Sequence, residues 1–201
     1  MPEITFSNEE FRLMTDHRFF DVKADIIAKI NLLLAEIENE IKTTLKKTEF
    51  NFPERVLLES GKVSKGENYL NCPYLVLDFP RLFTKKDIFS YRTIFWWGHY
   101  IGNAFILGGI SYDLYIRKFV DNIDLLKKKD WHLCIYNNPW KLENEDSNYL
   151  PLNQLSTDQI YKFLISRSFM KVARIYSHHQ YDRWPRESAT FLTDLLKIMG
   201  L

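Results

Sequence analysis

Along the first quarter of the chain, apolar residues recur at helical spacing. Phe19, Phe20, Ile26, Ile27, Ile30, Leu33, Leu34, Ile37, Ile41 and Leu45 fall three or four residues apart, with Glu and Lys between them, which predicts one long amphipathic helix over about residues 16–47. At 1.5 Å per residue such a rod is about 45 Å long, more than a core of this size usually needs. Its stripe either lies across a sheet or pairs with a second copy of itself. The absence of strict heptads favours the sheet.

From Arg55 the period shortens. The runs RVLLES, YLVLDF, DIFSYRTIFWW, YIGNAFILG and WHLCIY are rich in β-formers and broken by Gly, Asn and Pro, and each predicts a strand. Leu75, Leu77 and Phe79 alternate with Tyr74, Val76 and Asp78, so the carboxylate of Asp78 faces away from the three apolar side chains. Gly98-His99 suits the centre of a type II′ turn, which makes a hairpin of residues 88–107 with Trp97 and Tyr100 flanking the turn.

Capping chemistry marks the helix starts. Phe6-Ser7-Asn8-Glu9-Glu10-Phe11 and Leu155-Ser156-Thr157-Asp158-Gln159 each pair a hydroxyl with an acid or amide three residues on. Ser111 is placed to cap a helix carrying Tyr112, Tyr115, Phe119, Ile123 and Leu126, and Pro185 opens a final helix with Phe191, Leu192, Leu195, Leu196 and Met199 on its buried side. Residues 137–155 are polar and proline-punctuated and predict a loop. Val172, Ile175 and Tyr176 incline residues 169–180 toward strand rather than helix. The sum is an α+β fold in a single domain over residues 1–201: a mainly antiparallel sheet of about five strands packed against the long N-terminal helix and a C-terminal helix.

Composition changes this picture in one respect. The 201 residues include 15 Phe, 11 Tyr and 5 Trp, an aromatic excess that supplies apolar area with polar edges. Charge adds little, because 27 Lys and Arg stand against 26 Asp and Glu for a net +1. No global field draws the protein to nucleic acid or anionic lipid. No run approaches the roughly 18 apolar residues of a membrane span. The first residues show no basic region followed by an apolar one, and Cys72 and Cys134 form neither a CxxC pair nor a disulfide framework. The expectation is a cytoplasmic protein with reduced thiols.

The chain has no GxxxxGK[ST], GxGxxG, GxSxG, HExxH or CxxC, so phosphate-loop, nucleophile-elbow and zinc chemistries have no signature. No cofactor is expected. Of the five histidines, His17, His99, His132, His178 and His179, the adjacent last pair would point to opposite sheet faces, which argues against a metal site.

The remaining chemistry concentrates in two stretches. Asp78, Tyr91 and His99 are the catalytic candidates, with Arg92, His132 and Arg174 nearby in pattern, for acid/base work on a small anionic or carbohydrate substrate. Arg92 lies inside a strand with few charges and needs an anion, either an internal carboxylate or one on a ligand. Trp96, Trp97, Tyr100 and Trp131 are candidate walls of an aromatic pocket, or core. The segment YSHHQYDRWPRE has the mixed polar and aromatic character of a binding loop. Three readings follow: a domain binding a small anionic or aromatic ligand, an acid/base enzyme, and a homodimer pairing through the long helix.

Overall fold

The computed structural model describes residues 4–142 and 148–201. Two helices open the chain, α1 (Asn8–Met14) and α2 (His17–Leu45). Ser7 and Glu10 form the capping box ahead of α1, and the carboxylate of Asp16 accepts from the Phe19 amide at 3.2 Å to cap α2. The helix expected over 16–47 is therefore one continuous element of 29 residues, preceded by a separate short one.

Seven strands follow in one antiparallel sheet: β1 (Lys62–Tyr69), β2 (Cys72–Phe83), β3 (Asp87–Trp96), β4 (Tyr100–Gly109), β5 (His132–Cys134), β6 (Tyr149–Pro151) and β7 (Phe169–Tyr176), in the order β1-β2-β3-β4-β7-β5-β6. Between β4 and β5 lie α3 (Ile110–Asp121) and α4 (Ile123–Lys127); α5 (Thr157–Ile165) precedes β7, and α6 (Trp184–Gly200) ends the chain. The α+β architecture with an antiparallel sheet is as expected, but among the described residues the sheet has seven strands rather than about five.

The extra strands are those with the weakest pattern. RVLLES is not a strand; only Leu57 bridges to Arg81. The edge position belongs to KVSKGENY, a polar, largely exposed segment, because an edge strand with one open side gains more from lysines that block further pairing than from apolar residues. β6 lies within the predicted loop 137–155 and is three residues long. Ser111 is inside α3 rather than capping it; its amide donates to the Asp87 carboxylate at 2.8 Å, so the cap comes from the neighbouring strand.

The sheet has two unlike faces. Leu75, Leu77, Phe79, Phe89, Tyr91, Phe95, Ile101, Phe105, Leu107, Met170 and Val172 join Ile30, Leu34, Ile37 and Ile41 of α2 and Phe191, Leu192, Leu195 and Leu196 of α6 in the main core. The alternate residues Val76, Ile94, Trp96, Tyr100, Ala104 and Ala173 form a second cluster with Cys134, Leu142 and Tyr149. Cys134 of β5, Leu142 beyond it and Tyr149 of β6 thus cover part of the face that the helices leave open.

One buried hydrogen-bonded set ties α6 to the sheet. Asn103 accepts from the Trp184 indole at 3.2 Å and from the Ser188 hydroxyl at 3.0 Å, and donates to Thr93 at 3.0 Å. Tyr91 donates to the Ser188 carbonyl at 2.6 Å. These bonds fix the register of α6 on the sheet, since each buried donor would be orphaned by a slip.

Candidate functional site

Adjacent residues of a strand point to opposite faces, and this sorts the candidates. Asp78 and Arg92 are directly paired across β2 and β3 on the second face. The guanidinium holds the carboxylate by two contacts, Nε to Oδ1 at 2.8 Å and Nη2 to Oδ2 at 3.0 Å, and the Ser90 hydroxyl donates to Oδ1 at 3.1 Å. The far side of the guanidinium lies 4.7 Å from the Trp140 ring. Arg92 therefore meets its anion within the chain, in the bidentate geometry that makes such pairs strong.

Tyr91 is on the helix-covered face, fully buried beneath α6. Burial pushes its hydroxyl well above the ordinary value, with Tyr176 adding to the rise and Arg174 opposing it. His132, in β5, is held below its usual value by burial, against the pull of Asp130. Arg174 pairs with Glu187 of α6 and lies 5.2 Å from the Tyr176 ring. Asp78, Tyr91 and His99 do not converge: the first two occupy opposite faces of the sheet, and His99 lies beyond the end of β3.

The aromatic candidates divide as well. Trp131 packs edge-on against Phe191 at 4.7 Å in the main core. Trp97 is half-buried on the same side, 5.6 Å from Phe95. Trp96, Tyr100 and His99 gather at the hairpin tip. The β3–β4 ladder closes at Trp96 and Tyr100, so the loop holds three residues rather than the expected two, and the facing aromatic pair is Trp96 with Tyr100 at 5.8 Å instead of Trp97 with Tyr100. The His99 amide donates to the Trp96 carbonyl at 3.2 Å. Gly98 takes the third position of that turn with φ of 70°, the position where a type II turn needs a left-handed residue.

This turn folds the His99 imidazole flat onto the Trp96 indole, with centroids 3.6 Å apart and planes 13° from parallel. The indole is buried and the imidazole exposed. Beside it β7 ends early: its last paired residue is Tyr176, opposite Ile101. The chain then turns away through a single 3₁₀ turn at His178–Gln180, capped reciprocally by Ser177 and Gln180. Residues 169–176 are thus strand, and the remainder of the expected strand is this turn. His178 reaches back to the Trp96 carbonyl at 3.1 Å through Nε2 and meets the Phe95 ring edge-on at 5.5 Å.

The space left between hairpin tip and turn is a cavity of about 470 Å³, lined by Trp96, Gly98, His99, Tyr100, Ile175, Tyr176, Ser177 and His178. The Trp96 indole N–H is buried without an acceptor among the described residues. Burial, opposed by Arg174, raises the Tyr176 hydroxyl far above its ordinary value and keeps it protonated. The lining thus presents the His99 and His178 imidazoles and Ser177 around one flat stacked face, and no Lys or Arg; the Tyr100 hydroxyl donates to the Leu142 carbonyl at 2.6 Å and the Tyr176 hydroxyl is buried.

Tyr176, Ser177 and His178 open the segment YSHHQYDRWPRE, whose polar and aromatic mixture predicts a binding loop. The S-x-x-Q spacing of Ser177 to Gln180 is the signal that marks the turn, and a turn there sends His178 back toward the hairpin. Among the described residues no three His, Cys, Asp or Glu side chains are grouped to hold a metal ion, and no helix is long and apolar enough to cross a membrane.

The fold and this site define an α+β protein with a polar, aromatic-floored cavity at one end of its central sheet. No protein family, no curated protein and no solved structure matches the chain.

Proposed function

We propose that this is a one-domain ligand-binding protein whose site is the cavity between the β3–β4 hairpin tip and the turn after β7. Its ligand is a small, uncharged molecule with a flat ring or sugar face, stacking on His99 over Trp96. The observation that carries this reading is the stacked imidazole and indole beside a cavity of about 470 Å³, a volume within the range of roughly 300–1,000 Å³ typical of small-molecule sites.

The chemistry of the walls supports that choice of ligand. An exposed imidazole held flat by a buried indole offers a preorganised stacking surface with little rotamer freedom left to lose. Ser177 and His178 supply hydrogen-bonding edges around it. The anionic ligand expected from Arg92 has less support, since Asp78 neutralises that guanidinium. The acid/base reading gains no support from candidates spread over two faces of the sheet. We place the protein's work in the cytoplasm, where the free thiols of Cys72 and Cys134 persist.

The test is a tryptophan-fluorescence titration with a panel of nucleosides, aromatic amino acids and mono- and disaccharides. At least one class is expected to quench saturably, with a Kd in the micromolar to millimolar range, and His99→Ala to weaken it about tenfold, the worth of one aromatic stack. Trp131→Phe should leave the affinity unchanged. A panel without response, or binding indifferent to His99→Ala, would overturn the proposal.

A further inference from the structure

The stripe of α2 does not end where its support ends. Ile30, Leu34, Ile37 and Ile41 bury against the sheet and α6. At the same helical spacing the stripe continues N-terminally through Ile26, Val22 and Phe19, flanked by Ile27 and Phe20. None of the described residues before Ile30 is buried. Phe19 is 49 % exposed and Phe20 55 %, and in α1 Phe11 and Met14 are similarly open. An apolar groove of about 480 Å³ prolongs this surface along Ile26, Ile30, Leu33, Phe95 and Ile101 to Tyr181.

We infer that residues 4–30 are a dimerisation arm, and that the partner covering it is a second copy of this chain, running antiparallel about a two-fold axis near Phe19 and Phe20.

Area, charge and symmetry converge on that occupant. Phe6, Phe11, Phe19 and Phe20, about half exposed, and four aliphatic side chains of the same segment offer on the order of 800 Å² per copy, taking roughly 200 Å² for a large side chain. A stable interface takes roughly 800 Å² from each partner. A lipid surface is the poorer fit. Residues 4–30 carry Glu9, Glu10, Asp16, Asp21 and Asp25 against Arg12, Arg18, Lys23 and Lys29, whereas helices that lie on anionic membranes have a basic polar face.

The two helix directions differ in charge. Parallel pairing sets Lys23 against Lys23. Antiparallel pairing with Phe19 of one copy against Phe20 of the other sets Asp16 against Lys23, because both lie equally far from the axis. Lys23 is already held in place by Glu67 at 2.9 Å. The antiparallel contact is isologous, so two copies close it and no surface is left to propagate.

The experiment is sedimentation velocity on the full chain from about 1 to 100 µM, spanning the affinities of stable dimers. The wild-type chain is expected to sediment as a dimer at the upper end. The variant Phe19→Glu/Phe20→Glu should dissociate about 100-fold more readily, with its monomer retaining the melting temperature, since neither ring is in the core. Single-cysteine additions read the direction. Phe20→Cys sits at the axis and should cross-link under mild oxidant, while Ile26→Cys, about 20 Å from its symmetry mate at 1.5 Å per residue, should not. A monomer at about 100 µM, or a dimer unaffected by the two glutamates, would overturn the arm as the interface. Equal cross-linking at both positions would overturn the antiparallel arrangement.

Discussion

At the residue scale, the buried charges and hydroxyls show what the second face costs and what holds it. Asp78 is 2 % exposed, so removing either partner of its ion pair strands the other in a low-dielectric environment. Asp78→Ala is expected to destabilise the protein by about 3–5 kcal/mol, while the double change Asp78→Leu/Arg92→Met should recover most of that loss. Urea unfolding measures both. If the double change is as damaging as the single one, shape rather than charge is what the site requires. Alkaline stability depends on buried tyrosines, Tyr91 and Tyr176 foremost. Tyr91 and Tyr176 are raised above the ordinary value by burial, so the folded state keeps protons that the unfolded chain releases. Stability is therefore fully present below about pH 10 and falls as pH rises past it, by up to about 1.4 kcal/mol per pH unit for each group. Burial raises Tyr112 and Tyr115 as well, so Tyr176→Phe should remove only its own share of that slope in melts taken across this range.

At the element scale, the glycines at the two ends of β4 have different reasons to be there. Gly98 has positive φ but open space around a built Cβ, whose nearest neighbour is Cys72 Sγ at 3.7 Å. Gly98→Ala should cost only the left-handed penalty, about 1–2 kcal/mol. At Gly109 the same carbon would stand 1.9 Å from the Lys86 carbonyl oxygen, so Gly109→Ala must displace backbone and should lower the melting temperature much further. The two capping boxes make a similar pair. Ser156→Ala should cost about 1 kcal/mol of global stability, because α5 buries Ile160 and Leu164. The same change at Ser7 should cost almost none, because α1 buries nothing. Elements with dense periodic signal were legible in the sequence: α2 from its stripe, β2 to β4 from their apolar alternation, α5 and α6 from their starts. β1 and β6 were not, because an exposed edge strand and a three-residue strand bury too little to leave a pattern. The hairpin was foreseen but its loop was one residue short, since either length puts Gly98 at a position of positive φ.

At the scale of the whole molecule, the site could be read only in part from the chain, because it is assembled from two distant segments. Trp96, His99 and Tyr100 stood out through their aromatic crowding. Tyr176, Ser177 and His178 join them only because β7 is seated beside β4 and stops at Ile101. Antiparallel seating of strands more than sixty residues apart is set by the whole sheet and leaves no local mark. Arg92 illustrates the converse: its need for an anion was legible, but that Asp78 stands directly opposite depends on the β2–β3 register. The sheet thus spends its centre on a sealed ion pair and leaves its chemistry at one end.

The claim that this end is the binding site is tested most directly by the indole N–H resonances in a proton–nitrogen correlation spectrum, followed while a quenching ligand from the panel is added. The Trp96 resonance is expected to move on saturation as the ligand seats on the imidazole stacked over that indole, while those of Trp131 and Trp184, buried in the main core and not part of the cavity lining, stay fixed. Movement at Trp131 or Trp184 with Trp96 unchanged would contradict it.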